Sequence, residues 1–98
     1  MLIGRNVTNC VEIHDYVQLS FGDQVGLSIY NKMALVPSTA RVTELIGEAI
    51  TSISTTKEAI TISFNNGYKL TVDMSEKGYV GPEALQLNRR GRPPVVWN

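Results

Sequence analysis

The sequence predicts a mainly β fold in which two pseudo-symmetric three-stranded antiparallel meanders close on each other as one sandwich, roll or flattened barrel. Three observations carry this. Residues 2–31 and 45–74 align without a gap at an offset of 43 positions, and an internal period is a statement about architecture. Strict alternation of apolar and polar residues recurs inside each unit, the pattern of a half-buried strand. Gly22-Asp23-Gln24-Val25-Gly26 and Asn65-Asn66-Gly67 separate the alternating runs, and an Asn-Gly step supplies the positive φ angles of a tight hairpin.

The matched positions run the length of the unit. Leu2-Ile3-Gly4 falls on Leu45-Ile46-Gly47, Thr8 on Thr51, Asp15 on Glu58, Val17-Gln18-Leu19-Ser20-Phe21 on Ile60-Thr61-Ile62-Ser63-Phe64, and Leu27-Ser28-Ile29 on Leu70-Thr71-Val72. The opening strands, 6–13 and 49–55, are the irregular ones. Val7 and Cys10, like Ile50 and Ile53, are three apart where a flat strand needs two or four, so a β-bulge is expected near Asn9 and Ser52, bending the strand over the core. Val17, Leu19 and Phe21 define the second strand of the first unit (16–21), and Ile60, Ile62 and Phe64 that of the second (59–64). Leu27 and Ile29, and again Leu70 and Val72, point the third strands (26–30 and 68–73) inward.

Between the units one short helix is expected at about 39–46, with Ser38 or Thr39 as its N-cap. Val42, Leu45 and Ile46 stand at helical spacing and Gly47 is the C′ residue; Gly4 holds the same stopping position in the first unit. The expected core is Val7, Cys10, Val17, Leu19, Phe21, Leu27, Ile29, Ile50, Ile53, Ile60, Ile62, Phe64, Leu70 and Val72. A meander with one apolar face needs a partner layer, so the two share this core. After Met74 the period stops, and 75–98 reads as a non-repeated segment. There Gly81-Pro82 opens a helical turn, 84–87 continues as a strand, and a Gly/Pro-rich turn leads to a last short strand, Val95-Val96-Trp97.

A chain of 98 residues supports a single core, so residues 1–98 form one domain built from the duplication and its tail. Nine basic residues balance nine acidic ones, whereas general nucleic-acid binding calls for a basic excess to neutralise phosphates. One cysteine excludes an intramolecular disulfide and fits a reducing compartment. The start carries no apolar signal-peptide region, and no run approaches the roughly 20 apolar residues of a membrane span. The expectation is a cytoplasmic protein without a membrane partner.

No nucleophile elbow, phosphate loop, paired-His zinc motif or cysteine pair is present, which points to a non-catalytic protein with no cofactor and no metal. His14 aligns with Lys57 and reads as a solvated turn residue. Cys10 aligns with Ile53 and reads as a core thiol. Asp15, Asp23, Glu58 and Asp73 lack calcium-loop spacing. The candidate contact residues are therefore in the tail: Tyr79, Glu83, Arg89, Arg90, Arg92 and Trp97. Arginine forks grip carboxylates and phosphates, and aromatic faces stack on flat ligands or bury at partner surfaces. The plainer reading is that Trp97 completes the core while the arginines decorate a solvated turn.

On the Leu-Ile-Gly start, the alternating run ending in Phe with its hairpin turn, Tyr79-Val80-Gly81-Pro82-Glu83-Ala84 and the closing Val95-Val96-Trp97, the chain resembles small uncharacterised bacterial and phage domains of unknown function. Such domains are similar in kind to immunity proteins of bacterial toxin systems and to phage counter-defence proteins. The resemblance covers nearly the full length, rests on scaffold residues and carries over no catalytic residue. It implies a binding protein that neutralises a toxin or effector by occluding its surface. The other expectation is an oligomer that sequesters a small anionic nucleotide-like ligand, with arginines on the phosphates and Tyr79 or Trp97 on the base. An exposed strand edge leaves room for a homodimer or higher homo-oligomer.

Overall fold

The computed structural model describes residues 2–13, 16–22, 24–78 and 84–97. Among them nine strands form two antiparallel sheets. The strands are β1 (Asn9–Ile13), β2 (Tyr16–Ser20), β3 (Val25–Ile29), β4 (Met33–Val36), β5 (Ile50–Thr55), β6 (Ala59–Phe64), β7 (Lys69–Asp73), β8 (Leu85–Arg89) and β9 (Arg92–Trp97). The first sheet has the order β1-β2-β3-β8-β9 and the second β4-β7-β6-β5. The expected meanders are β1-β2-β3 and β5-β6-β7, and they form the two layers of a sandwich. Alternation decides which face turns inward: Val17, Leu19, Leu27 and Ile29 from one layer meet Ile60, Ile62, Leu70 and Val72 from the other, all buried. Each such side chain contributes roughly 1.5–3 kcal/mol through burial. The two hairpins close alike, Phe21 N–H donating to the Val25 carbonyl and Phe64 N–H to that of Tyr68, both at 2.9 Å.

The units meet at a backbone dyad. Asn6 and Ala49, which occupy equivalent positions, form an isolated antiparallel bridge. Around it Gly4 N–H donates to the Ile50 carbonyl and Gly47 N–H to the Val7 carbonyl, both at 2.7 Å, while Val7 N–H reaches the Glu48 carbonyl at 2.9 Å and Ile50 N–H the Arg5 carbonyl at 3.0 Å. A shift by the repeat offset turns each bond of a pair into the other, so the approximate two-fold axis passes through this bridge. Gly4 and Gly47 both adopt φ +90°, which only glycine enters at little cost, and thereby turn the chain into the bridge.

Each meander is followed by a strand that joins the opposite sheet. β4 pairs with β7, Met33 opposite Val72 and Leu35 opposite Leu70. β8 pairs with β3, Leu85 opposite Ile29 and Leu87 opposite Leu27. Since Val72 is the counterpart of Ile29, Met33 is the counterpart of Leu85, an offset of 52 instead of 43. The pairing pattern thus continues into the tail beyond a connection nine residues longer than its counterpart.

Several expectations change. No element is expected at Met33–Val36, because four consecutive apolar residues without alternation give no strand signal, yet they form β4. The helix at 39–46 is a single 3-10 turn, Val42–Leu45, capped by Arg41 and not by Ser38 or Thr39; Gly47 does follow it as the stop residue. A register shift between Ile50 and Ser52 puts the bulge where expected in β5. In β1 the pairing runs without a shift from Asn9 to Ile13, although Thr8 N–H still donates to the Ser20 carbonyl at 2.7 Å. The tail strands are longer than expected and form a hairpin with each other. Val25, read as part of a turn, opens β3 and is buried, and Leu2, Val42, Leu45, Ala84, Leu85 and Leu87 also belong to the core. Ile53 does not: it is 37 % exposed. Its counterpart Cys10 is buried, because the 3-10 turn packs on β1 whereas β5 has its extensive element contacts with β6 alone. His14, Asp15, Asp23 and the Gly81-Pro82 turn lie outside the described residues.

Gly78 supplies a direct test of the connection between β7 and β8. It is buried, its N–H donates to the Ser75 carbonyl at 3.0 Å and its own carbonyl accepts from Lys32 N–H at 2.9 Å. An added Cβ would overlap the Asp73 carbonyl oxygen and come within 2.6 Å of the Asp73 Cβ and Cγ. Gly78→Ala is therefore expected to destabilise the fold by about 1–3 kcal/mol. Thermal unfolding should show this as a loss of roughly 4–8 °C per kcal/mol, while Lys77→Ala next door, on an exposed residue, should stay within about 0.5 kcal/mol.

Candidate functional site

The tail arginines gather at one hairpin tip. Leu85 and Leu87 of β8 are buried, and the strand period puts Arg89 on the same side, half-buried opposite Val25. Arg90 and Gly91 make the turn, with Gly91 at φ +72°, and Arg92 stands opposite Arg89. Register shifts once between Leu87 and Arg89, where β9 carries Pro93 and Pro94. Neither proline has an N–H to offer a ladder, and an edge strand or bulge is where that is tolerated. Arg92 to Val96 are all exposed, including the apolar Val95 and Val96. Trp97 is elsewhere: half-buried against the core opposite Leu85, it holds the other end of β9, about 17 Å from Arg92 at the rise of an extended chain. Its carbonyl accepts from Ala84 N–H at 2.7 Å. The structure therefore joins Arg89, Arg90 and Arg92 and separates Trp97 from them; Tyr79 and Glu83 lie outside the described residues.

A second concavity lies where the two layers part at one end of the sandwich. This cleft of about 770 Å³ is lined by Glu12, Tyr16, Asn31, Lys32, Ser38 and Arg41, with Ile29 and Val42 at its base among other apolar residues. Asn31 begins the crossing from β3 to β4. Only 4 % exposed, it donates from Nδ2 to the Asp73 carbonyl at 2.8 Å and touches Met74 Sδ at 3.9 Å. Its Oδ1 is buried and has no hydrogen-bond partner among the described residues. A buried amide oxygen left without a donor costs about 1–3 kcal/mol. Tyr16 packs its ring against Tyr30, centroids 5.4 Å apart and planes tilted by 44°.

No protein-family model, curated protein or solved structure matches this chain. Its sites are read from their own chemistry. Among the described residues no group of three or more His, Cys, Asp or Glu could hold a metal ion, and no helix is long and apolar enough to cross a membrane.

Sequence reasoning found the arginine tip because Arg89-Arg90-Gly91-Arg92 is a local string. It missed the cleft, whose residues come from β1, β2, β3, β4 and the segments on either side of β4 as far as the 3-10 turn. One signal was present: Asn31 stands where the second unit has the apolar Met74, and a polar residue replacing an apolar counterpart in a repeat marks a place where the copies serve different ends.

Two groups near these sites titrate abnormally. The Asp73 carboxyl is held below the usual range by the Ser75 hydroxyl, 2.6 Å from Oδ1, then by the Ser75 N–H at 2.9 Å, with Lys32 and Lys77 adding to the effect. Burial, and after it the Glu12 carboxylate, pushes the Cys10 thiol up from 9.0 to about 11. A raised thiol pKa means that the folded state holds the proton more tightly than the unfolded chain. Its contribution to stability is full below about pH 9 and is lost as pH rises toward 11. At pH 8 Cys10 should accordingly react with a soluble disulfide reagent at a rate set by unfolding, and at once in denaturant. Fast labelling of the folded protein would contradict the burial.

Proposed function

We propose that this chain is a non-catalytic, cytoplasmic binding protein that occludes the surface of a protein partner, in the manner of a toxin- or effector-neutralising protein. The observation that supports this reading is the exposed course of the β8–β9 hairpin. Arg90 and Arg92 at its tip run directly into Pro93, Pro94, Val95 and Val96. Arginine is enriched among the residues that dominate interface energy, because the guanidinium takes carboxylates bidentately, and the neighbouring exposed valines add apolar area that loses water on contact. Occlusion needs no chemistry beyond this. Half-buried Arg89 supports the tip from the core side of the sheet.

The test is a double variant, Arg90→Ala with Arg92→Ala, at two exposed positions where the fold has little at stake. Tagged wild-type protein should retain one stoichiometric polypeptide from its native host, and the double variant should lose it with the melting temperature almost unchanged. Undiminished retention by the variant would remove the hairpin from the interface.

The end cleft favours a second reading, sequestration of a small anionic ligand. Its volume of about 770 Å³ lies in the range of small-molecule sites, roughly 300–1,000 Å³. Lys32 and Arg41 offer cationic donors, and Tyr16 an aromatic face, to a phosphorylated ligand. A nucleotide at one hundred times its Kd would raise stability by about 2.7 kcal/mol, an effect that Lys32→Ala with Arg41→Ala should abolish. A flat thermal-shift profile across mono-, di- and cyclic nucleotides would set this reading aside.

A further inference from the structure

Of the four sheet edges, β5 alone lacks a guard among the described residues. β9 carries Pro93 and Pro94, β4 has four residues and is followed by Pro37, and β1 lies against the Val42–Leu45 turn. On β5 the dyad bonds from Gly4 and Arg5 cover the edge only as far as Ile50. The free stretch is residues 51–55, all exposed, and no charged residue lies between Glu48 and Lys57. An uncharged, uncovered edge is a template for one more strand.

What fits it is written in the stretch itself. Thr51-Ser52-Ile53-Ser54-Thr55 reads the same in both directions. Antiparallel two-fold pairing centred on Ile53 therefore sets Ile53 opposite Ile53, Ser52 opposite Ser54 and Thr51 opposite Thr55. The backbone agrees with this centre. Thr56 N–H donates to the Ala59 carbonyl at 2.8 Å across the β5–β6 hairpin, and hydrogen-bonded pairs alternate along an antiparallel ladder. Ser54, opposite Thr61, is thus the next residue bonded to β6, whereas Ile53 and Thr55, opposite Ile62 and Ile60, turn their N–H and C=O groups outward. A pair centred on Ile53 uses the outward Ile53 groups of both chains.

Side chains and charge point the same way. Ile53 is 37 % exposed at the edge of the core-facing side, beside buried Ile62, and pairing would bring two such side chains together. No like charges meet within the paired stretch, which is uncharged throughout. The lengths also match, because the incoming chain turns back at Thr56 before it reaches the covered Ile50.

We propose that β5 is the interface of a homodimer, in which a second copy of this chain adds its own β5 antiparallel about Ile53 and joins the two four-stranded sheets into one of eight strands. A contact made by so short an edge is at the small end of specific interfaces, so the dimer forms at high protein concentration and dissociates on dilution.

Analytical ultracentrifugation of the full chain from the micromolar to the near-millimolar range should show the mass rising from monomer toward dimer. Ile53→Lys sets two ammonium groups opposite each other and should stay monomeric throughout with an unchanged circular dichroism spectrum. Ile53→Cys gives an independent reading, since hydrogen-bonded partners have Cα atoms about 5.5 Å apart, within disulfide reach. Under mild oxidation it should cross-link to a covalent dimer while Thr55→Cys alone, which faces Thr51, should not. A wild-type monomer at every concentration overturns the proposal. So does a dimer indifferent to Ile53→Lys, or a cross-link that forms through position 55 and not 53.

Discussion

Four backbone hydrogen bonds around Asn6 and Ala49 hold the two halves of this protein in the relation in which their apolar faces cover each other. Each half offers a three-stranded layer with one greasy side, and such a layer is not stable in water by itself. The dyad starts the bend that carries β1 and β5 away from the axis, with a glycine at φ +90° feeding the chain in on both sides. Leu2 and Leu45, equivalent residues just before those glycines, are both buried. The turn that makes the bridge therefore also seats a side chain in the core.

Alternation was legible wherever a strand has one wet and one dry face, which is why β2, β3, β6 and β7 and most of the core could be read from spacing. Three features escaped for different physical reasons. Met33-Ala34-Leu35-Val36 is an edge strand that is only half-buried, so its apolar residues do not alternate with polar ones. Val25 sits among Gly, Asp and Gln in a string of turn formers and is pulled into the ladder by pairing with Arg89 across sheet strands distant in sequence. Ile53 obeys the local pattern of a core residue, but whether that position is covered depends on a separate segment lying over it, and no local pattern reports such cover. The candidate sites divide along the same line. The arginine tip is contiguous in sequence and could be found there, whereas the cleft is assembled by topology.

Function in a duplicated scaffold is best sought where the copies differ. Cys10 is covered and Ile53 is not; Asn31 carries a buried amide where Met74 carries a thioether; β8 has β9 beyond it, while the equivalent strand β4 is an edge. None of these differences is required by the shared core. Each leaves backbone, a polar atom or an apolar side chain in a position where it can be used by something else.

The reciprocal placing of β4 and β8 has a consequence for how the molecule comes into being. Since each half's last strand completes the other half's sheet, neither half contains the contacts needed to stand as an autonomous folding unit, and a fragment cut between Val36 and Ile50 would leave an unfinished sheet on both sides. Two of the seven strand pairings, β3 with β8 and β4 with β7, join residues far apart along the chain, so their closure entropy must be overcome before the core rewards it. A single ancestral copy with the same crossing would have been an obligate pair of chains, and the duplicated chain amounts to that pair tied together by one linker.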